Sequence, residues 1–65
     1  MKKYRCIFCR SDGRTSLEVE ANDAEHAIQH AVEQIMPAGS YRLEVWDETG
    51  LVKTRSRKAL WRVRN

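Results

Sequence analysis

Tyr4-Arg5-Cys6-Ile7-Phe8-Cys9-Arg10-Ser11-Asp12-Gly13-Arg14-Thr15-Ser16-Leu17-Glu18-Val19-Glu20-Ala21 is the stretch that decides the fold. Two alternating runs flank Asp12-Gly13, a dipeptide favoured at the centre of two-residue type I′ turns because glycine accepts φ > 0 cheaply. A hairpin folded about that centre pairs Ser11 with Arg14, Arg10 with Thr15, Phe8 with Leu17, Cys6 with Val19 and Tyr4 with Ala21. Paired residues share a face. Tyr4, Cys6, Phe8, Leu17, Val19 and Ala21 then form one apolar surface. The opposite face sets Arg5 against Glu20 and Ile7 against Glu18. A slip of one residue would scatter the pattern over both faces.

The next segment supplies the cover. Asn22 is a good N-cap, and Glu25 stands three residues on, as a capping box requires. Ala24, Ala27, Ile28, Ala31, Val32 and Ile35 recur at helical spacing. On a wheel of about 100° per residue they form a stripe roughly 140° wide. The alanines let such a helix approach the sheet closely. Met36-Pro37-Ala38-Gly39 ends it, because proline cannot continue the ladder.

Tyr41, Leu43 and Val45 alternate with Arg42, Glu44 and Trp46 in a third strand. Asp47-Glu48-Thr49-Gly50 reads as a turn with Asp first and Gly last, and residues 51 to about 56 return as a fourth strand. The pairing that keeps the apolar face apolar sets Val45 against Val52 and Glu44 against Lys53. A bulge at Gly50 would instead bring Lys53 opposite Val45. Residues 57–65 have two readings: a short helix capped by Ser56 and carrying Ala59, Leu60 and Val63, or a ragged strand in which Trp61 and Val63 alternate with Arg62 and Arg64. The expected fold is α+β, a two-layer ββαββ arrangement with one helix packed on one face of a mostly antiparallel four-stranded sheet. Its core comprises Tyr4, Cys6, Phe8, Leu17, Val19, Ala27, Ile28, Ala31, Ile35, Leu43 and Val45.

The chain has 65 residues, enough for one small domain (body 2–56, basic segment 53–65). Chains of this size bury only roughly 60% of their unfolded surface. Nothing after Met1-Lys2-Lys3 reads as a signal peptide, and no stretch approaches the roughly 20 apolar residues of a membrane span. The expectation is a cytoplasmic protein with unpaired cysteines.

Residues 4–30 resemble the two-Cys, two-His zinc finger: an aromatic Tyr4 two places before Cys6-Ile7-Phe8-Cys9, then His26 and His30 on a helix. The resemblance implies Cys6, Cys9, His26 and His30 as tetrahedral zinc ligands. The residues themselves read otherwise. Sixteen residues separate Cys9 from His26, against about twelve in the family. Both cysteines fall within a strand, on opposite faces. His26 and His30 fall opposite the apolar stripe of the helix. Three strand steps hold Cys6 and Cys9 roughly 10 Å apart, beyond disulfide range. A redox Cys-x-x-Cys usually opens a helix instead. No metal and no cofactor is therefore expected.

Catalysis has no better footing. Glu18, Glu20, Glu25, Glu33, Asp47 and Glu48 are scattered over polar faces and turns, and the glycines sit in turns rather than phosphate loops. The chain is expected not to be an enzyme.

Charge is distributed unevenly. Residues 1–52 hold six Lys or Arg and nine Asp or Glu, whereas residues 53–65 hold six Lys or Arg and no acid. Lys53, Arg55, Arg57, Lys58, Arg62 and Arg64, with Trp61 among them, suit a phosphate backbone: cations supply affinity and an aromatic stacks on a base. A solvated basic end is the plain alternative. Trp46 with Leu51 on the open sheet face offers a different partner, another protein chain or a second copy. The chain also resembles a loose class of small bacterial α+β proteins, through Tyr41-Arg42-Leu43-Glu44-Val45 running into Asp47-Glu48-Thr49-Gly50 and through Asn22-Asp23-Ala24-Glu25. That resemblance implies the ββαββ fold and no activity.

Overall fold

A computed structural model describes residues 1–58. The order is β1 (Lys2–Arg10), β2 (Gly13–Ala21), α1 (Ala24–Ile35), β3 (Tyr41–Asp47) and β4 (Gly50–Arg57). The strands form one antiparallel sheet in the order β2-β1-β3-β4. The helix packs on one face and leaves the other open. The two readings offered for residues 57–65 fall mostly outside the described residues. Arg57 itself ends β4.

Both faces of the first hairpin are as expected, but its register is shifted by two. Tyr4 lies opposite Val19, Cys6 opposite Leu17, Phe8 opposite Thr15 and Arg10 opposite Gly13. The turn centre is Ser11-Asp12, not Asp12-Gly13. Neither Ser11 nor Asp12 has a positive φ, so the turn is not type I′. Gly13 closes the hairpin at φ 141°, a backbone conformation that glycine adopts at little cost and L side chains rarely do. A shift of two preserves which residues share a face. It also sets Lys3 against Glu20 and Arg5 against Glu18, two cross-strand charge pairs of the kind that favour a register. The Arg5–Glu18 pair closes at 3.4 Å.

The helix starts one residue later than the sequence suggests. Asp23, not Asn22, is the N-cap, and its carboxylate accepts the His26 backbone N–H at 2.9 Å. The capping box built on Glu25 is therefore not formed. Met36 ends the helix in the left-handed region at φ 50° and ψ 58°, directly before Pro37.

The second hairpin takes the bulged pairing. Val45 faces Lys53 rather than Val52, and Glu44 faces Thr54 rather than Lys53. Trp46 pairs with Leu51, and the register changes between Val45 and Trp46. The extra residue is thus Val52, while Gly50 stays in register opposite Asp47. The rule that matches apolar with apolar fails here because β4 is an edge strand. Its side chains lie beyond the core and have no apolar burial to gain.

The core lies between helix and sheet: Tyr4, Cys6, Phe8, Val19, Ala21, Ala27, Ile28, Ala31, Tyr41, Leu43 and Val45 are buried, and Leu17, Ala24, Val32 and Ile35 pack at its margin. Leu17 and Ile35 are thus marginal rather than central, and Tyr41 joins the core. Its ring meets Phe8 edge to face at 5.3 Å, a geometry aromatic pairs prefer.

Candidate nucleic-acid interface

Cross-strand pairing fixes which way the β4 side chains point. Lys53 lies opposite Val45, Arg55 opposite Leu43 and Arg57 opposite Tyr41. Those three partners are buried on the helix side, so the three cations share that side in a column along the sheet edge. Every second strand residue advances roughly 6.5–7 Å, a step comparable to that between successive phosphates of an extended strand. Lys58 follows directly, and no acid occurs between residues 50 and 58. Inward charges on an edge strand also discourage sheet-to-sheet association, so the column has a structural use whatever it binds.

The bulged register has a consequence absent from the sequence pattern. It carries Lys53 and Arg55 onto the side of the first turn of α1, where Glu25 stands. Glu25 Oε2 lies 2.7 Å from Lys53 Nζ and 2.9 Å from an Arg55 guanidinium nitrogen, which also reaches Oε1 at 3.2 Å. The Lys53 hydrogen bond first, and the nearby charge of Arg55 and Lys53 next, hold the Glu25 carboxyl below its ordinary pKa. All three side chains remain about half exposed. Among the described residues, Arg57 and Lys58 make no ion pair. Trp61, Arg62 and Arg64, the remaining residues of the basic segment, lie outside the described residues.

The open face carries Lys3, Arg5, Ile7 and Cys9 from β1, with Glu44 and Trp46 from β3. Trp46 is 36% exposed, and its indole N–H donates to Glu44 at 3.2 Å. Leu51, paired with Trp46, and the neighbouring bulge residue Val52 are 46% and 42% exposed. An open groove lined by Lys3, Arg5, Ile7, Glu18, Trp46 and the 47–49 turn crosses this face.

The finger residues are divided among three places. Cys6 is fully buried under the helix, with its thiol toward the Ala27 carbonyl at 3.9 Å. Burial pushes that thiol up from its ordinary pKa. Cys9 is half-buried on the other face of the sheet, and His26 and His30 are exposed on the helix. His26 Nδ1 instead meets the Asp23 carboxylate at 2.9 Å. Among the described residues, no three His, Cys, Asp or Glu converge as a metal group would need. No helix among them is long and apolar enough to cross a membrane.

The basic run is plain in the sequence, but the contribution of Glu25 is not. It becomes visible only if the bulged pairing is chosen, since that choice alone brings Lys53 and Arg55 to the helix side. No family model, curated protein or solved structure matches the chain.

Proposed function

We propose that this chain is a binding module of the cytoplasm, not a catalyst, which contacts nucleic acid through β4 and the basic segment that follows it. The supporting observation is the column Lys53, Arg55 and Arg57 on one side of an edge strand, with Lys58 the next residue of the chain. Affinity in such a surface comes from phosphate neutralisation and release of condensed counterions. Trp61, within the same segment, would add stacking on an unpaired base.

Titration of labelled single- and double-stranded oligonucleotides at two salt concentrations tests the reading. Engagement of four to six cations should give a slope of about −3 to −5 in log K against log salt. Changing Arg57, Lys58, Arg62 and Arg64 together to Gln should remove most of that slope. Trp61→Ala should weaken single strands by about 1–3 kcal/mol and duplex much less. Absence of binding at low salt would refute the reading.

A second reading is supported by the exposure of Trp46, Leu51 and Val52 beside one another. Self-association through the open face would cover them. Sedimentation should then show a dimer that Trp46→Ala dissociates.

A further inference from the structure

We infer that Glu25 is a built-in competitor for the basic surface: its carboxylate occupies Lys53 and Arg55 until a polyanionic strand displaces it. The inference rests on the nucleic-acid reading and concerns how that same surface is regulated. One oxygen of Glu25 meets Lys53 at 2.7 Å and Arg55 at 2.9 Å. These contacts have the length of charge-assisted hydrogen bonds to a phosphate oxygen. The later helix start leaves Glu25 out of a capping box, and the bulge at Val52 brings the two cations within its reach. The three side chains are about half exposed, so water and ligand have access to every partner. Exposed ion pairs are weak, hence exchangeable.

The basic surface is accordingly divided. Arg57 and Lys58, unpaired among the described residues, are available for first contact. Lys53 and Arg55 are available only to a ligand that outcompetes a carboxylate already in place. A single phosphate offers little advantage over Glu25. A strand held at Arg57 and Lys58 presents its next phosphates at high local concentration and can exchange with Glu25. The device therefore favours extended polyanions over isolated anions. On displacement the freed Glu25 attracts a cation of its own, which offsets part of the counterion release that drives binding.

The test compares the parent, Glu25→Gln and Glu33→Gln for binding of a labelled single-stranded DNA oligonucleotide at two salt concentrations. Glu33→Gln removes the same charge from elsewhere on the helix. Glu25→Gln should bind about 3- to 10-fold tighter than the parent, the range expected when two exposed ion pairs no longer compete. Its salt slope should be steeper by up to about one, and Glu33→Gln should change affinity less than about twofold because a distant exposed charge is screened. A parent that binds while Glu25→Gln binds no tighter overturns the inference and leaves the nucleic-acid reading intact. Binding by none of the three at low salt removes that reading and the inference together. The carboxyl carbon resonance of Glu25 in the unmodified protein provides a check that needs no variant. Titration with the oligonucleotide should move it toward a solvated carboxylate, and an unmoved resonance at saturation overturns the inference.

Discussion

Phe8 has no exposed surface, meets the Tyr41 ring edge to face and belongs to the same buried cluster as Ala27 and Ala31 of the helix. Removing its ring leaves a cavity that a two-layer domain of this size has little means to close. Phe8→Ala should cost on the order of 3 kcal/mol or more, and denaturant unfolding followed by circular dichroism would read it. A midpoint equal to the parent's would show that Phe8 does not anchor the core. Among polar residues, the carboxylates are the sensitive ones. Asp23 is held below its ordinary pKa first by the His26 backbone N–H and then by the His26 ring. Glu25 is held low by Lys53 and Arg55, and Asp47 by the Thr49 hydroxyl and backbone N–H. A carboxyl depressed by folding stabilises the native state above its unfolded pKa. That contribution disappears as pH falls through the folded value. The melting temperature should therefore decline as pH falls below about 5, through the range in which ordinary carboxylates protonate. Asp23→Ala should lower it at neutral pH and make the acid decline shallower, whereas Asp23→Asn, still a competent cap, should retain most of the neutral-pH stability.

The elements differ in how openly the sequence declares them. Met36 is 78% exposed and left-handed, a conformation in which a Cβ crowds the following carbonyl. Met36→Gly should remove that crowding and stabilise the domain by about 0.5–1 kcal/mol, read as a higher unfolding midpoint; a lower one would mean that the Met36 side chain contributes packing. The helix itself was legible because its stripe recurs six times. Its start was not, since Asn22 and Asp23 are equally good caps. In the first hairpin the alternation of Tyr4, Cys6 and Phe8 fixes the faces, but the same alternation is indifferent to a shift of two. The turn grammar could have separated the registers. Arg10-Ser11-Asp12-Gly13 and Asp47-Glu48-Thr49-Gly50 both close with glycine last, at φ 141° and 125°. Reading the first as the second reads gives the observed pairing. In β4 no periodicity helps, because a strand at the edge of the core need not match its neighbour apolar for apolar.

For the molecule as a whole, the charges of the candidate surface could be read from the chain, but their arrangement could not. Six cations within residues 53–65 are plain in the sequence. That two of them face an acid on the helix depends on one bulge and on the crossing of β2 to β3 through α1. The sheet order β2-β1-β3-β4 has another consequence. Each hairpin closes over a turn of a few residues, so both belong to the fast, local part of assembly. The central seam, where Arg5 meets Trp46 and Cys9 meets Arg42, joins parts of the chain separated by an entire strand and helix. Its formation carries most of the loop-closure entropy. The chain should thus fold as two quick halves that wait on a single meeting, β1 with β3.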